Sequence, residues 1–136
     1  MFYLLYYAYE SKPFSETDLE ELLAKARSNN AQYNITGKLL FVEGTFIQIL
    51  EGEEKIVKEV YSKIEEDKRI IYVHKVAEGE IKNRYFPDWT MAFKSITLTE
   101  INHLENCNHP EVKAYLESAT PIRLLRLMAP DRPIEF

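Results

Sequence analysis

The chain has 136 residues, 46% hydrophobic and 29% charged, with a formal net charge of -5, which describes one globular domain with a real core. Lys and Arg form no clustered face, so nucleic acid is excluded as a main partner. One cysteine, Cys107, excludes a disulfide framework and a Cys-based zinc site, and the scattered His74, His103 and His109 lack acidic or Cys partners at ligand spacing, so no metal site is expected.

The opening MFYLLYYAYE is apolar but lacks a basic flank and is too short for a signal peptide or a membrane span. It reads as a core strand, Phe2 to Ala8, of a cytoplasmic protein with no membrane association. A helix starts after Pro13, with Ser15 and Asp18 as an N-cap pair. Leu19, Leu22, Leu23 and Ala26 give it an apolar stripe at helical spacing, and it is expected to end near Asn29-Asn30.

Ile35 to Val42 and Thr45 to Glu51 form a hairpin around the Glu43-Gly44 turn. The second of these strands contains FIQILEG (46–52). Phe46, Gln48 and Leu50 share one face and Ile47 and Ile49 the other, and neither resembles a solvent face. A primary amide there needs hydrogen-bond partners. A second helix follows from Glu53 to Glu66, with Ile56, Val57, Val60 and Ile64 on one side. Then come a strand from Ile70 to Ala77 and a short fifth strand around Trp89 to Phe93.

The order β-α-β-β-α-β is the ferredoxin-like α+β pattern with a strand added. Strands one and three then lie together mid-sheet, with both helices on one face. Residues 1–94 make this domain, and 95–136 a C-terminal helical extension. In the extension Thr97 and Glu100 form a capping box, Pro110 opens a helix carrying Val112, Tyr115 and Leu116, and Pro121 ends it. IRLLRLM (122–128) is apolar with two arginines, and PDRPIEF is a loose end. The helices are expected to cover the free sheet face, to pair with another subunit, or to bind an effector.

If Leu4, Tyr6 and Ala8 face the helices, the Tyr6 hydroxyl lies beside Gln48 and can donate to its amide oxygen. Asn29 and Asn30 add further amides. A flat heteroaromatic ligand with alternating carbonyl and NH groups would suit such a pocket. A buried Tyr–Gln pair and an Asn C-cap are the plain alternatives. Glu51, Glu53 and Glu54 read as solvated or capping carboxylates at a strand-to-helix junction.

The set LLYYA (4–8), ARSNNAQYNITGKLLF (26–41), FIQILEG (46–52), KIEEDKR (63–69) and FPDWTMAF (86–93) resembles the BLUF family of flavin-based blue-light sensors over roughly residues 1 to 94. The resemblance implies that Tyr6 is the photoactive donor and that Gln48 bridges it to the flavin. Asn29 and Asn30 would hold the ring edge, Leu22 and Ile64 would sandwich the ring, Asp67 would meet the ribityl chain, and Lys63 the flavin O2 or a phosphate. Trp89 and Met91, on the fifth strand, would relay the signal. FAD is the usual flavin, with FMN and riboflavin as alternatives. The implied partners are a second copy of the chain and a separate effector protein, and the implied role is a switch rather than an enzyme.

Two positions depart from the family pattern. Lys63 stands where arginine is usual, and Ile70 where histidine is usual. Both weaken the expected grip on the cofactor, and a BLUF-like interaction module without tight flavin binding is the alternative they motivate. An acylphosphatase-type enzyme of the same topology would need an anion loop with an arginine, and AYESKPFS (8–15) supplies neither glycine nor arginine.

Overall fold

A computed structural model describes residues 1–129, so the PDRPIEF segment lies outside the described residues. Strands β1 (Phe2–Glu10), β2 (Thr36–Val42), β3 (Thr45–Gly52), β4 (Ile70–Glu80) and β5 (Ala92–Ile96) form one sheet. Its order is β4-β1-β3-β2-β5, with β5 parallel to β2 and the other pairs antiparallel. Helices α1 (Glu16–Tyr33) and α2 (Glu54–Glu65) are the crossovers of the expected ferredoxin-like pattern. Helices α3 (Leu98–Glu105), α4 (Val112–Ser118) and α5 (Pro121–Met128) follow the fifth strand.

The strands alternate between two cores. Phe2, Leu4, Tyr6 and Ala8 of β1 join Leu39, Phe46 and Leu50 under Leu23, Val57 and Tyr61 of α1 and α2. Tyr3 and Leu5 join Leu40, Val42, Ile47 and Ile49 under Ile101, Tyr115, Leu116, Leu124, Leu125 and Met128. The helical extension therefore covers the second face of the sheet. All eight residues of β3 are buried, which is why FIQILEG shows no solvent face: a mid-sheet strand covered on both sides has none.

Local chemistry sets most boundaries. Ser15 and Asp18 make a full capping box at the start of α1. Glu43 and Gly44 both have positive φ, 48° and 87°, as a two-residue hairpin of the primed type requires. Thr97 caps α3.

Four expectations change. Helix α1 runs a turn past Asn29-Asn30, because Asn34 takes the left-handed C-cap conformation (φ 55°) and returns its N–H to Asn30 O. Strand β5 begins at Ala92 and not at Trp89, and the carbonyls of Thr90 and Met91 go to side chains of α1, as described below. Pro121 does not end α4, which stops at Ser118. It opens α5 at the first turn behind the Thr120 cap, where its missing N–H costs nothing. Glu51 is neither solvated nor a cap. It is fully buried.

Candidate functional site

Tyr6 and Gln48 are direct cross-strand partners on β1 and β3, and the antiparallel register brings their side chains together on the helix-covered face. Both are buried. The Tyr6 hydroxyl donates to Gln48 Oε1, and Gln48 Nε2 faces Met91 Sδ at 3.4 Å. Burial raises the Tyr6 phenol well above its ordinary value, with smaller pushes from Tyr61 and Asp67. It therefore stays a neutral hydroxyl throughout the physiological range, able to donate to the amide oxygen. The Tyr61 ring lies 5.5 Å from the Tyr6 ring.

Met91 reaches Gln48 across Gly37 of β2. A Cβ on Gly37 would lie 2.0 Å from Ile49 O and 3.4 Å from Met91 Cε, so only glycine leaves room there. Three successive carbonyls before β5 are each captured. Gly37 N–H donates to Trp89 O (3.2 Å), Asn30 Nδ2 to Thr90 O (2.7 Å), and Arg27 Nε to Met91 O (3.0 Å). Met91 is 0% exposed and Trp89 58%. Of the expected relay pair, Met91 packs beside Gln48, whereas the Trp89 side chain points toward solvent from the β4–β5 connection.

Above Tyr6 and Gln48 lies a cavity of about 250 Å³ between α1, α2 and the sheet. Leu22, Asn29, Asn30, Lys63, Ile64 and Asp67 all line it with Tyr6 and Gln48. Leu22, Ala26, Leu39, Leu50, Val60 and Ile64 supply apolar wall, and Lys25, Lys63 and Arg69 bring cationic side chains. Asp67 is held below the usual carboxylate range by Arg69, which pairs with it at 2.7 Å. Lys63 Nζ stands 5.9 Å from the centre of the Tyr33 ring.

A model of sensors of blue-light using FAD matches residues 1–92. The beta subunit of a photoactivated adenylate cyclase from Euglena longa is 38% identical over 89 residues, 65% of this chain and 10% of that protein. The chain thus spans about a tenth of the length of such curated relatives. A bacterial light-regulated adenylyl cyclase is 30% identical, with a TM-score of 0.65 over 98% of this chain and 36% of that one. The ground state of BlsA superposes with a TM-score of 0.80 over 98% and 91% of the two chains, at 22% identity, and speaks for the fold alone.

The chain belongs to the BLUF family.

The residues fit the flavin that gives BLUF proteins their name. A primary amide and two asparagines stand at one end of an apolar slot, and the Gln48 NH2 faces a thioether, a weak acceptor for so strong a donor. A carbonyl and ring nitrogen placed above it would satisfy that donor better. Sequence reasoning missed Lys25, Tyr33, Phe46, Val60 and Arg69 as cavity residues. Lys25 and Tyr33 were within reach: each lies three or four residues from Leu22 or Asn29 on α1, and so shares their face. Arg69 lies on the α2–β4 connection, which no periodicity reports.

Proposed function

We propose that this chain is a flavin-bearing BLUF switch that catalyses no reaction of its own and passes a blue-light signal to a separate protein. The row Tyr6–Gln48–Met91, whose first two members line the cavity, carries the reading. FAD is the proposed cofactor. The cations Lys25, Lys63 and Arg69 suit a phosphate-bearing flavin better than riboflavin. Bound flavin supplies blue-light absorption and an electron acceptor.

The chain's residues do the rest. Tyr6 is buried and neutral, so it can give up an electron and then its hydroxyl proton, since an oxidised phenol is a strong acid. Gln48 accepts at Oε1 and donates at Nε2, so it can carry that proton and return with its amide turned or tautomerised. Asn29 and Asn30 would hold the ring edge, Leu22 and Ile64 its two faces, Asp67 the ribityl chain, and Lys63 the ring O2 or a phosphate. A turned Gln48 loses its contact with Met91 Sδ, and Met91 leads directly into β5. Movement there reaches α3 to α5, which lie on the far face of the sheet. The proposed output is contact with a second copy of the chain or with an effector protein.

The test is an absorption spectrum before and after blue light. A flavin spectrum that shifts slightly to the red and recovers in darkness is expected. A second reading, an interaction module that does not hold flavin, draws on the Ile70 side chain at the cavity and on Asp67 already paired with Arg69. Colourless protein that cannot be loaded with FAD would establish it.

A further inference from the structure

The β4–β5 connection has no regular structure between Ile81 and Met91, yet it places Met91 against Gln48. Its far end is fixed by a carboxylate. Glu51 is 0% exposed. Its Oε2 accepts from Tyr85 N–H at 2.6 Å, and its Oε1 from Phe86 N–H at 2.9 Å and Thr36 Oγ1 at 3.0 Å. Arg84 secures the same point: its Nη1 donates to Thr36 Oγ1 (2.7 Å) and Glu51 O (3.0 Å), and its Nη2 to Asn34 O (2.8 Å). Burying a carboxylate is costly unless hydrogen bonds replace its water. Here two of the three replacements are backbone N–H groups of the connection itself.

Little chain separates this anchor from the photocentre. Phe86 is held by Glu51 and Trp89 by Gly37, and only Pro87 and Asp88 lie between them. Pro87 fixes its own φ and restricts Phe86, and Trp89 N–H closes the turn on Phe86 O at 3.3 Å. Phe86 thus shares with Gly37, Asn30 and Arg27 in placing Trp89, Thr90 and Met91.

We propose that Glu51 is a positioning residue for the Gln48–Met91 contact, and that by holding the connection still it sets how long the light-rearranged state lasts. This rests on the photoswitch reading above. When the connection is fixed, Met91 is a stiff wall that Gln48 must turn against on its way back. When the anchor is cut, the wall yields and the return is faster.

The test uses the full chain loaded with flavin. Dark recovery after a blue flash is timed for the parent protein, Glu51→Gln and Arg84→Met. Glutamine keeps the volume of Glu51 but turns an NH2 toward an N–H, and methionine removes the guanidinium ties. Both variants should hold flavin, show the red shift with an unchanged dark maximum, and recover about tenfold faster, corresponding to about 1.4 kcal/mol of barrier. A purely structural role would lower the unfolding temperature and leave the recovery rate alone. Recovery within twofold of the parent in the folded variants overturns the proposal, and Arg84→Met decides alone if Glu51→Gln does not fold. A parent protein that binds flavin but shows no red shift sinks the switch reading itself, and this proposal with it.

Discussion

Removing the Tyr6 hydroxyl separates the structural from the photochemical role of the Tyr6–Gln48 pair. In Tyr6→Phe the ring stays and Gln48 Oε1 loses its donor inside a buried site. Leaving one buried acceptor unpaired costs about 1–3 kcal/mol. For a chain of this size each kcal/mol moves the unfolding midpoint by roughly 3–5 °C, so a fall of roughly 3–15 °C is expected. Gln48→Leu alone strands the Tyr6 hydroxyl and should cost a similar amount. The double variant replaces both partners with apolar groups and should cost much less than the sum, because no orphan remains. Thermal unfolding of the four flavin-free proteins by circular dichroism measures this cycle. Light-minus-dark spectra of the flavin-loaded proteins should show the red shift in the parent alone. Strictly additive costs would mean that the two side chains do not depend on each other. A red shift surviving in Tyr6→Phe would remove the phenol from the mechanism.

Gly37→Ala pushes a methyl into Ile49 O, 2.0 Å away; it should destabilise the fold by about 3 kcal/mol, measured by urea unfolding, and a cost below about 1 kcal/mol would mean that the β2–β3 pair gives way easily. The Tyr6 and Tyr115 phenols are both raised well above their ordinary value of 10.0. The folded state then keeps protons that the unfolded chain releases, so the contribution of these phenols should be flat below pH 10 and fall above it, by up to about 1.4 kcal/mol per pH unit for each; Tyr6→Phe should remove one share of that slope in urea titrations between pH 9 and 11. Lys63→Met should weaken FAD several-fold more than riboflavin in fluorescence titrations, and equal losses would place the lysine away from the phosphates. Lys38 Nζ donates to Met128 O at the end of α5 (2.9 Å), so Lys38→Met should speed hydrogen exchange of the last α5 amides without changing exchange in β3.

Much of this was legible because the local signals agreed with the global pattern. The capping box at Ser15, the Glu43-Gly44 hairpin and the helical stripes gave the element order, and strand alternation grouped Tyr6 with Leu4 and Ala8 and Gln48 with Phe46 and Leu50, while the β1–β3 register joined the two sets. What was not legible depended on distant partners. Glu51 looks like other junction carboxylates until the connection folds back over it. Trp89 and Met91 share a strand-like stretch, and the carbonyls of Thr90 and Met91 go instead to Asn30 and Arg27 of α1. Asn29-Asn30 looks like a helix stop, whereas Asn34, four residues on, is the asparagine that takes the left-handed cap.

The sheet order also has a consequence for how the chain is made. Strand β1 is synthesised first, but its neighbours are β3 and β4, which end at Gly52 and Glu80. At ordinary translation rates of 5–20 residues per second, β3 is complete roughly 2–9 s after β1. Tyr3 and Leu5 then wait for α3 to α5 to cover their side. A nascent chain therefore carries the apolar β1 segment before its sheet partners exist, and the split topology that joins Tyr6 to Gln48 builds the site from contacts between distant parts of the chain, whose closure entropy local contacts do not carry.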